Sequence, residues 1–195
     1  EGYERALEPR PFHFPADHGP HPAYRTEWWY LTGNLEAPGG EAFGFQLTFF
    51  RSALTPEEPD LDGSAWRSNQ VFMGHFALTD AEGRRFRAFE RFGRSAVGLA
   101  GAEAAPFRVW LEDWEISQPT DEDGGSIFPL SLRAAEDGVS LTLALDPSKP
   151  MVLQGDRGLS KKGGEPGNAS YYYSFTRLAA SGSLTVDGES FAVEG

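Results

Sequence analysis

The chain of 195 residues contains no cysteine, which excludes disulfide staples, thiol nucleophiles and cysteine-ligated zinc and leaves the compartment open. Basic charge is scarce. Seventeen Lys plus Arg stand against 29 Asp plus Glu, a net charge of -12, so a phosphate backbone would be repelled unless the bases clustered on one face. The densest basic group, Arg84, Arg85 and Arg87, has acidic neighbours, and nucleic acid is set aside as a partner. No run of about 18 apolar residues occurs, so the chain reads as not membrane-spanning. Glu1 stands where an initiator methionine would; a removed export signal would explain this, as would simple trimming, and the expected location is secreted or periplasmic.

Helical periodicity is also nearly missing. In its place, short aromatic and β-branched runs alternate with Gly, Pro and Asp breaks, the habit of an antiparallel β protein. About nine strands are expected. Thr26 to Leu35 turns at Ala37-Pro38-Gly39-Gly40 into Ala42 to Arg51, where Phe43, Phe45, Leu47 and Phe49 share one face. Gln70 to Thr79 turns at Asp80-Ala81-Glu82-Gly83 into Arg85 to Phe92. Ser95 to Pro106 has no pattern of its own beyond room for one helical turn. Phe107 to Ile116 and Phe128 to Ala135 follow, and Asp137-Gly138 makes a tight turn into Val139 to Leu145, with Val139, Leu141, Leu143 and Leu145 inward. A long glycine-rich loop, Pro147 to Ala169, precedes Tyr171 to Leu178 and a last hairpin at Asp187-Gly188. Two Pro- and Asp-rich stretches, Leu54 to Ser64 and Ser117 to Ser126, read as surface loops. Such a meander must protect its edges. The expected fold is all-β, an antiparallel lipocalin-like β-barrel of mostly consecutive hairpins, with a jelly-roll sandwich as the alternative. Residues 1–24 read as a strap and 25–195 as the barrel domain.

Four constellations could carry chemistry. Asp17-His18-Gly19-Pro20-His21-Pro22 places a carboxylate and two imidazoles in an irregular segment, but its prolines forbid helical ligand geometry and no third ligand is near, so no metal is assigned. In Tyr24-Arg25-Thr26-Glu27-Trp28-Trp29-Tyr30, strand alternation puts Glu27 and Trp29 on one face and Trp28 and Tyr30 on the other. Glu27 held against indoles could donate a proton, unless Arg25 or a later arginine neutralises it in a structural pair inside the barrel. His75 is a lone imidazole on an otherwise apolar strand, a catalytic candidate or a pocket-edge residue. Gln46, opposite a Phe-lined face, is a substrate contact or simply an outward polar group. Finally, Tyr171, Tyr172 and Tyr173 follow a flexible Pro-Gly-Asn lead; phenols there could orient a substrate or stabilise a cation, or merely pack. The glycine-rich stretch before them lacks phosphate-loop spacing, and no cofactor is expected.

The segments Phe14-Pro15-Ala16-Asp17-His18-Gly19, Arg25 to Leu35, Gly44-Phe45-Gln46-Leu47-Thr48-Phe49-Phe50-Arg51, Gly158-Leu159-Ser160 and Gly167 to Ser174, in that order, make the chain resemble the AttH-like, carotenoid 1,2-hydratase (hydroxyneurosporene synthase) family nearly end to end. The resemblance implies two consecutive lipocalin-like barrels, of which this chain would be the first, in proteins described as predicted secreted hydrolases or as lyases that hydrate carotenoid double bonds. A later Trp- and Asp-containing motif of the family is absent here. The implied role is a contribution to an apolar, isoprenoid-like substrate site for acid-catalysed hydration or a related reaction, with Glu27 and His75 as catalytic candidates. Trp28, Trp29, Tyr30, Gln46, Tyr171, Tyr172 and Tyr173 would be substrate-binding. The implied partners are a hydrophobic small molecule and the second barrel of the same parent chain. The alternative is a non-catalytic carrier of a hydrophobic ligand. A third reading, a carbohydrate-binding jelly roll, would need Trp66, Trp110 and Trp114 exposed and coplanar.

Overall fold

The computed structural model describes residues 2–57, 68–119 and 126–195; Trp66 and most of the two Pro- and Asp-rich loops lie outside them. Apart from one 3-10 turn, Ala16–His18, the regular structure is strand. Four long strands come first: β1 (Thr26–Glu36), β2 (Ala42–Ala53), β3 (Gln70–Asp80) and β4 (Arg85–Arg94). Five shorter ones follow: β5 (Ala100–Ala104), β6 (Phe107–Leu111), β7 (Trp114–Ser117), β8 (Leu130–Glu136) and β9 (Val139–Pro147). A covering segment carries β10 (Val152–Leu153), β11 (Leu159–Lys161), β12 (Ala169–Tyr171) and β13 (Tyr173–Ser174) before the last hairpin, β14 (Leu178–Val186) and β15 (Glu189–Glu194).

Eleven strands form one antiparallel sheet in the order β4-β3-β2-β1-β15-β14-β9-β8-β7-β6-β5. With the covering segment set apart, neighbours in space are neighbours in sequence, and the chain's first and last long strands meet. That is an up-and-down meander, not a jelly roll. The sheet curls until β3 and β4 lie against β5 and β6, nearly closing a barrel. Side chains span this seam. Arg91 of β4 lies 4.5 Å over the ring of fully buried Trp114 and reaches Glu112, Asp113 and Glu136. Trp114 donates its indole N–H to Ala135 O at 2.9 Å.

The interior is built by alternation. Phe43, Phe45, Leu47 and Phe49 of β2 are buried, as are Val139, Leu141, Leu143 and Leu145 of β9. Each such side chain contributes roughly 1.5–3 kcal/mol on leaving water. The hairpin turns at Asp137-Gly138 and Asp187-Gly188 have both central residues at positive φ (42° and 77°, 51° and 87°), the left-handed pair that matches strand twist.

Sequence and structure differ in four places, and the first is Pro147 to Ala169, expected as loop, which carries the short strands β10 and β11. Ser95 to Pro106, patternless in sequence, holds strand β5, whose Gly101 is crossed by the Trp110 ring so closely that a Cβ there would sit 2.5 Å from it. Phe107 to Ile116 is not one strand but the β6–β7 hairpin, reversed at Glu112 with φ 58°. Tyr171 to Leu178 is broken into the ends of β12, β13 and β14, because its tyrosines cover a cavity instead of continuing the large sheet.

Candidate ligand cavity

β1 pairs with β2 along its whole length, from Thr26↔Ser52 to Glu36↔Ala42. On its other side, among the described residues, the ladder has the one position Glu36↔Glu194. The remaining edge, Thr26 to Asn34, opens on a cavity of about 970 Å³ walled by the strap, β1, the covering segment and inward side chains of the sheet such as Phe107, Leu130 and Leu145. Glu27, Trp28, Trp29, Tyr30, Tyr171, Tyr172 and Tyr173 all line it. Gln46 and His75 do not. They share the outer face of Trp28, Tyr30 and Thr32, but stand on β2 and β3, one and two strands away from the open edge of β1; there Gln46 donates to Thr48 Oγ1 and His75 faces Glu90 at 3.0 Å.

Register sorts the two faces of β1. Glu27, Trp29 and Leu31 lie level with Arg51, Phe49 and Leu47, whereas Trp28 and Tyr30 lie level with Phe50 and Thr48. Trp29 points inward and donates its indole N–H to His18 O at 2.9 Å. Trp28 and Tyr30 form the outer rim with Tyr172, whose ring lies 6.0 Å from Trp28 and whose hydroxyl meets the Tyr30 hydroxyl at 2.8 Å. Lys162 stands 5.1 Å over the Tyr172 ring. Hydrogen bonds from Ser174 and Tyr30, and this cation, lower the Tyr172 phenol, while the same contact raises Tyr30. Tyr171 donates to Glu8 O at 2.7 Å and stacks under Arg10, so it fastens the strap.

The strap's charged residues join Glu27 in a chain of alternating sign. Arg10 grips Asp17 with two bonds of 2.8 and 3.0 Å. Asp17 Oδ1 lies 2.8 Å from His21 Nε2, and His21 Nδ1 lies 2.6 Å from Glu27 Oε1. The Glu27 carboxylate also receives the His21 backbone N–H and, at 2.7 Å, Nε of Arg51. Because each His21 ring nitrogen faces a carboxylate oxygen, the geometry is that of an imidazolium. The Glu27 bond, opposed by burial and helped by Asp17, raises His21 above its ordinary value. Burial alone would raise Asp17; Arg10, the His13 amide and His21 overcome it and hold the carboxyl well below its usual range. Arg51 is 2% exposed and also donates to Gln70 Oε1 and to the carbonyls of His21 and Tyr24. Glu27 is thus neutralised by an arginine, the later-arginine case, and the partner is Arg51 through strand register. Among the described residues no group of three or more His, Cys, Asp or Glu converges as a metal site.

Sequence reasoning missed His18 as a cavity residue. It is 7% exposed, with Nδ1 2.7 Å from the Tyr173 hydroxyl. The rings of Phe14, Phe107 and Phe175 lie 4.5, 6.4 and 6.0 Å away. Burial pushes its pKa down to about 4, against a small upward pull from Asp17. The same burial raises the Tyr173 phenol. The nearest signal was the Asp17-His18 motif itself, since partners 155 residues away have no local signature.

A nearly closed antiparallel meander with a side cavity under a strap defines a lipocalin-like β-barrel protein. The AttH-like family model matches residues 5–195, and the chain belongs to that family. A crystal structure of an AttH protein from Nitrosomonas europaea is similar at 34% identity and a TM-score of 0.81, covering 98% of this chain and 55% of that one. Kievitone hydratase from Nectria haematococca shares the fold at 12% identity and a TM-score of 0.66, over 99% of this chain and 51% of that one. The chain therefore spans about half the length of both. None of the curated proteins matches it.

Proposed function

We propose that the cavity beside β1 binds an apolar small molecule, and that the barrel is the ligand-binding half of a protein acting on an isoprenoid-like substrate by acid-catalysed hydration or a related reaction. The observation that carries this reading is the cavity itself, about 970 Å³ and walled by Trp28, Trp29, Tyr30, Phe107, Phe128 and Phe175. Its size and aromatic lining suit a molecule of that class. Hydrating an alkene needs a dry acid and π-faces to stabilise the resulting cation. The aromatic faces are present. Asp17 and Glu27, the carboxylates of the cavity wall among the described residues, only accept hydrogen bonds, from Arg10, His21 and Arg51. The proton donor then comes from a second barrel of the parent chain, of the size by which the two solved neighbours exceed this one.

Titration with N-phenyl-1-naphthylamine, an uncharged apolar fluorophore, tests the reading. Uptake of one equivalent is expected, and Ala169→Trp, which fills the cavity from the covering segment, should abolish it. Absence of saturable uptake, or uptake untouched by Ala169→Trp, would refute it. The second reading, a non-catalytic carrier, is favoured by the neutralised state of Glu27. Full-length protein that binds an isoprenoid alkene with no turnover would establish it over hydration.

A further inference from the structure

Outside the charged chain, His18 is the buried polar side chain of the cavity wall among the described residues. His18 is buried in an aromatic box, and of its two ring nitrogens only Nδ1 has a partner among the described residues, the Tyr173 hydroxyl. No described side-chain nitrogen or oxygen is both fully enclosed and unpartnered, so Nε2 is accessible, and His18 lines the cavity. Buried polar atoms are normally satisfied, so an accessible nitrogen on a side chain this deep is a place where a ligand completes the bonding.

The direction of the bond follows from counting hydrogens. An imidazole buried among Phe14, Phe107 and Phe175 without a carboxylate on either nitrogen is neutral, and carries one ring proton. The Tyr173 phenol has no other acceptor among the described residues, so it donates to Nδ1. The ring proton then sits on Nε2, the accessible and unpartnered nitrogen, among the described residues, of a side chain that lines the cavity. Trp29 holds the backbone of the same residue through the His18 carbonyl, so His18 is held at its backbone and at Nδ1.

We propose that His18, positioned by Tyr173, is a specificity anchor: its Nε2–H donates one hydrogen bond to an uncharged oxygen, a carbonyl above all, on an otherwise apolar ligand in this cavity. This rests on the cavity being an apolar ligand site and names the polar group the ligand carries. A hydrocarbon leaves the donor unsatisfied, and a carboxylate on His18 would have to shed its water among the rings of Phe14, Phe107 and Phe175. A ketone, aldehyde or ester fits both constraints.

The test compares three probes of matched shape. They are 2-acetylnaphthalene, 2-isopropenylnaphthalene, which replaces C=O by C=CH2, and 2-naphthoate. Dissociation constants come from tryptophan quenching, checked by calorimetry. Wild-type protein should bind the ketone about tenfold more tightly than the alkene, the worth of one buried hydrogen bond, and the carboxylate most weakly. His18→Phe should remove the ketone preference while leaving the alkene constant within about twofold. Should His18→Phe not fold, ¹⁵N-histidine NMR of the wild type decides: an Nε2–H tautomer whose Nε2 resonance moves with the ketone and not with the alkene is expected. Equal affinity for ketone and alkene, or a preference surviving in His18→Phe, overturns the anchor and leaves the apolar site standing. Failure of both uncharged probes to bind overturns the site and the anchor together.

Discussion

Replacing Arg51 by Met keeps the aliphatic stem and removes a guanidinium that is 2% exposed and bonded to Glu27, Gln70 and the carbonyls of His21 and Tyr24. Breaking a buried ion pair from one side costs about 3–5 kcal/mol, because the remaining charge stays behind. Glu27 still keeps His21, so the lower end, about 3 kcal/mol, is expected. Glu27→Gln leaves Arg51 its three other acceptors and should cost about 2 kcal/mol. In the double variant methionine no longer faces a bare carboxylate, and the two costs should fall short of adding by about 2 kcal/mol. Urea unfolding followed by tryptophan fluorescence measures all four corners of the cycle. Additivity within about 0.5 kcal/mol would refute the pair as an internal unit. The same Glu27→Gln variant should let His21 fall back toward an ordinary imidazole pKa, because Glu27 is its largest support, a shift that NMR titration reads directly.

Stability should fall on both sides of a near-neutral optimum. His21 is raised, so its contribution is complete below about 6.5 and is lost as pH rises through its folded value. His18 is lowered to about 4, so stability is lost as pH falls from the unfolded value toward the folded one, by at most about 3 kcal/mol. His21→Gln should flatten the alkaline limb and His18→Phe the acid limb in melts between pH 3 and 9. Gly74→Val should destabilise by about 2 kcal/mol or more, because a Cβ there already lies 3.1 Å from the Trp114 ring and 3.2 Å from Leu111; an unchanged denaturation midpoint would contradict that packing. Gly138→Ala, at φ 77°, should cost about 1 kcal/mol and raise the unfolding rate.

The parts of this fold written locally were readable in advance. Period-2 runs such as Phe43, Phe45, Leu47 and Phe49, and the Asp-Gly turns, declare a strand face and a hairpin from neighbours alone. β5 was not readable, because Gly101 and its alanines are small to admit Trp110 and so carry no apolar pattern. The β6–β7 reversal at Glu112 uses no glycine. At the cavity, Trp28, Trp29, Tyr30 and the three tyrosines were visible as a density of polar-tipped aromatics, with Glu27 as the acid among them. That Gln46 and His75 stand away from the cavity was not visible, since this depends on how far β2 and β3 lie from the open edge of β1. Arg51 and Tyr173, which define what Glu27 and His18 can do, are partners at long range. Only the register of β1 on β2, and the folding back of the covering segment, bring them into reach.

The single ladder position between β1 and β15 also bears on how such a protein diversifies. Between Thr26 and Leu35 no ladder pairing with the last hairpin is present among the described residues, so along this side the chamber is closed by the strap and the covering segment, while the sheet supplies its floor. Insertions, deletions or substitutions in residues 6–22 and 152–177 can therefore remodel the chamber while every rung of the eleven-stranded sheet stays in place. One scaffold is thereby free to acquire new ligands by changing its upholstery alone.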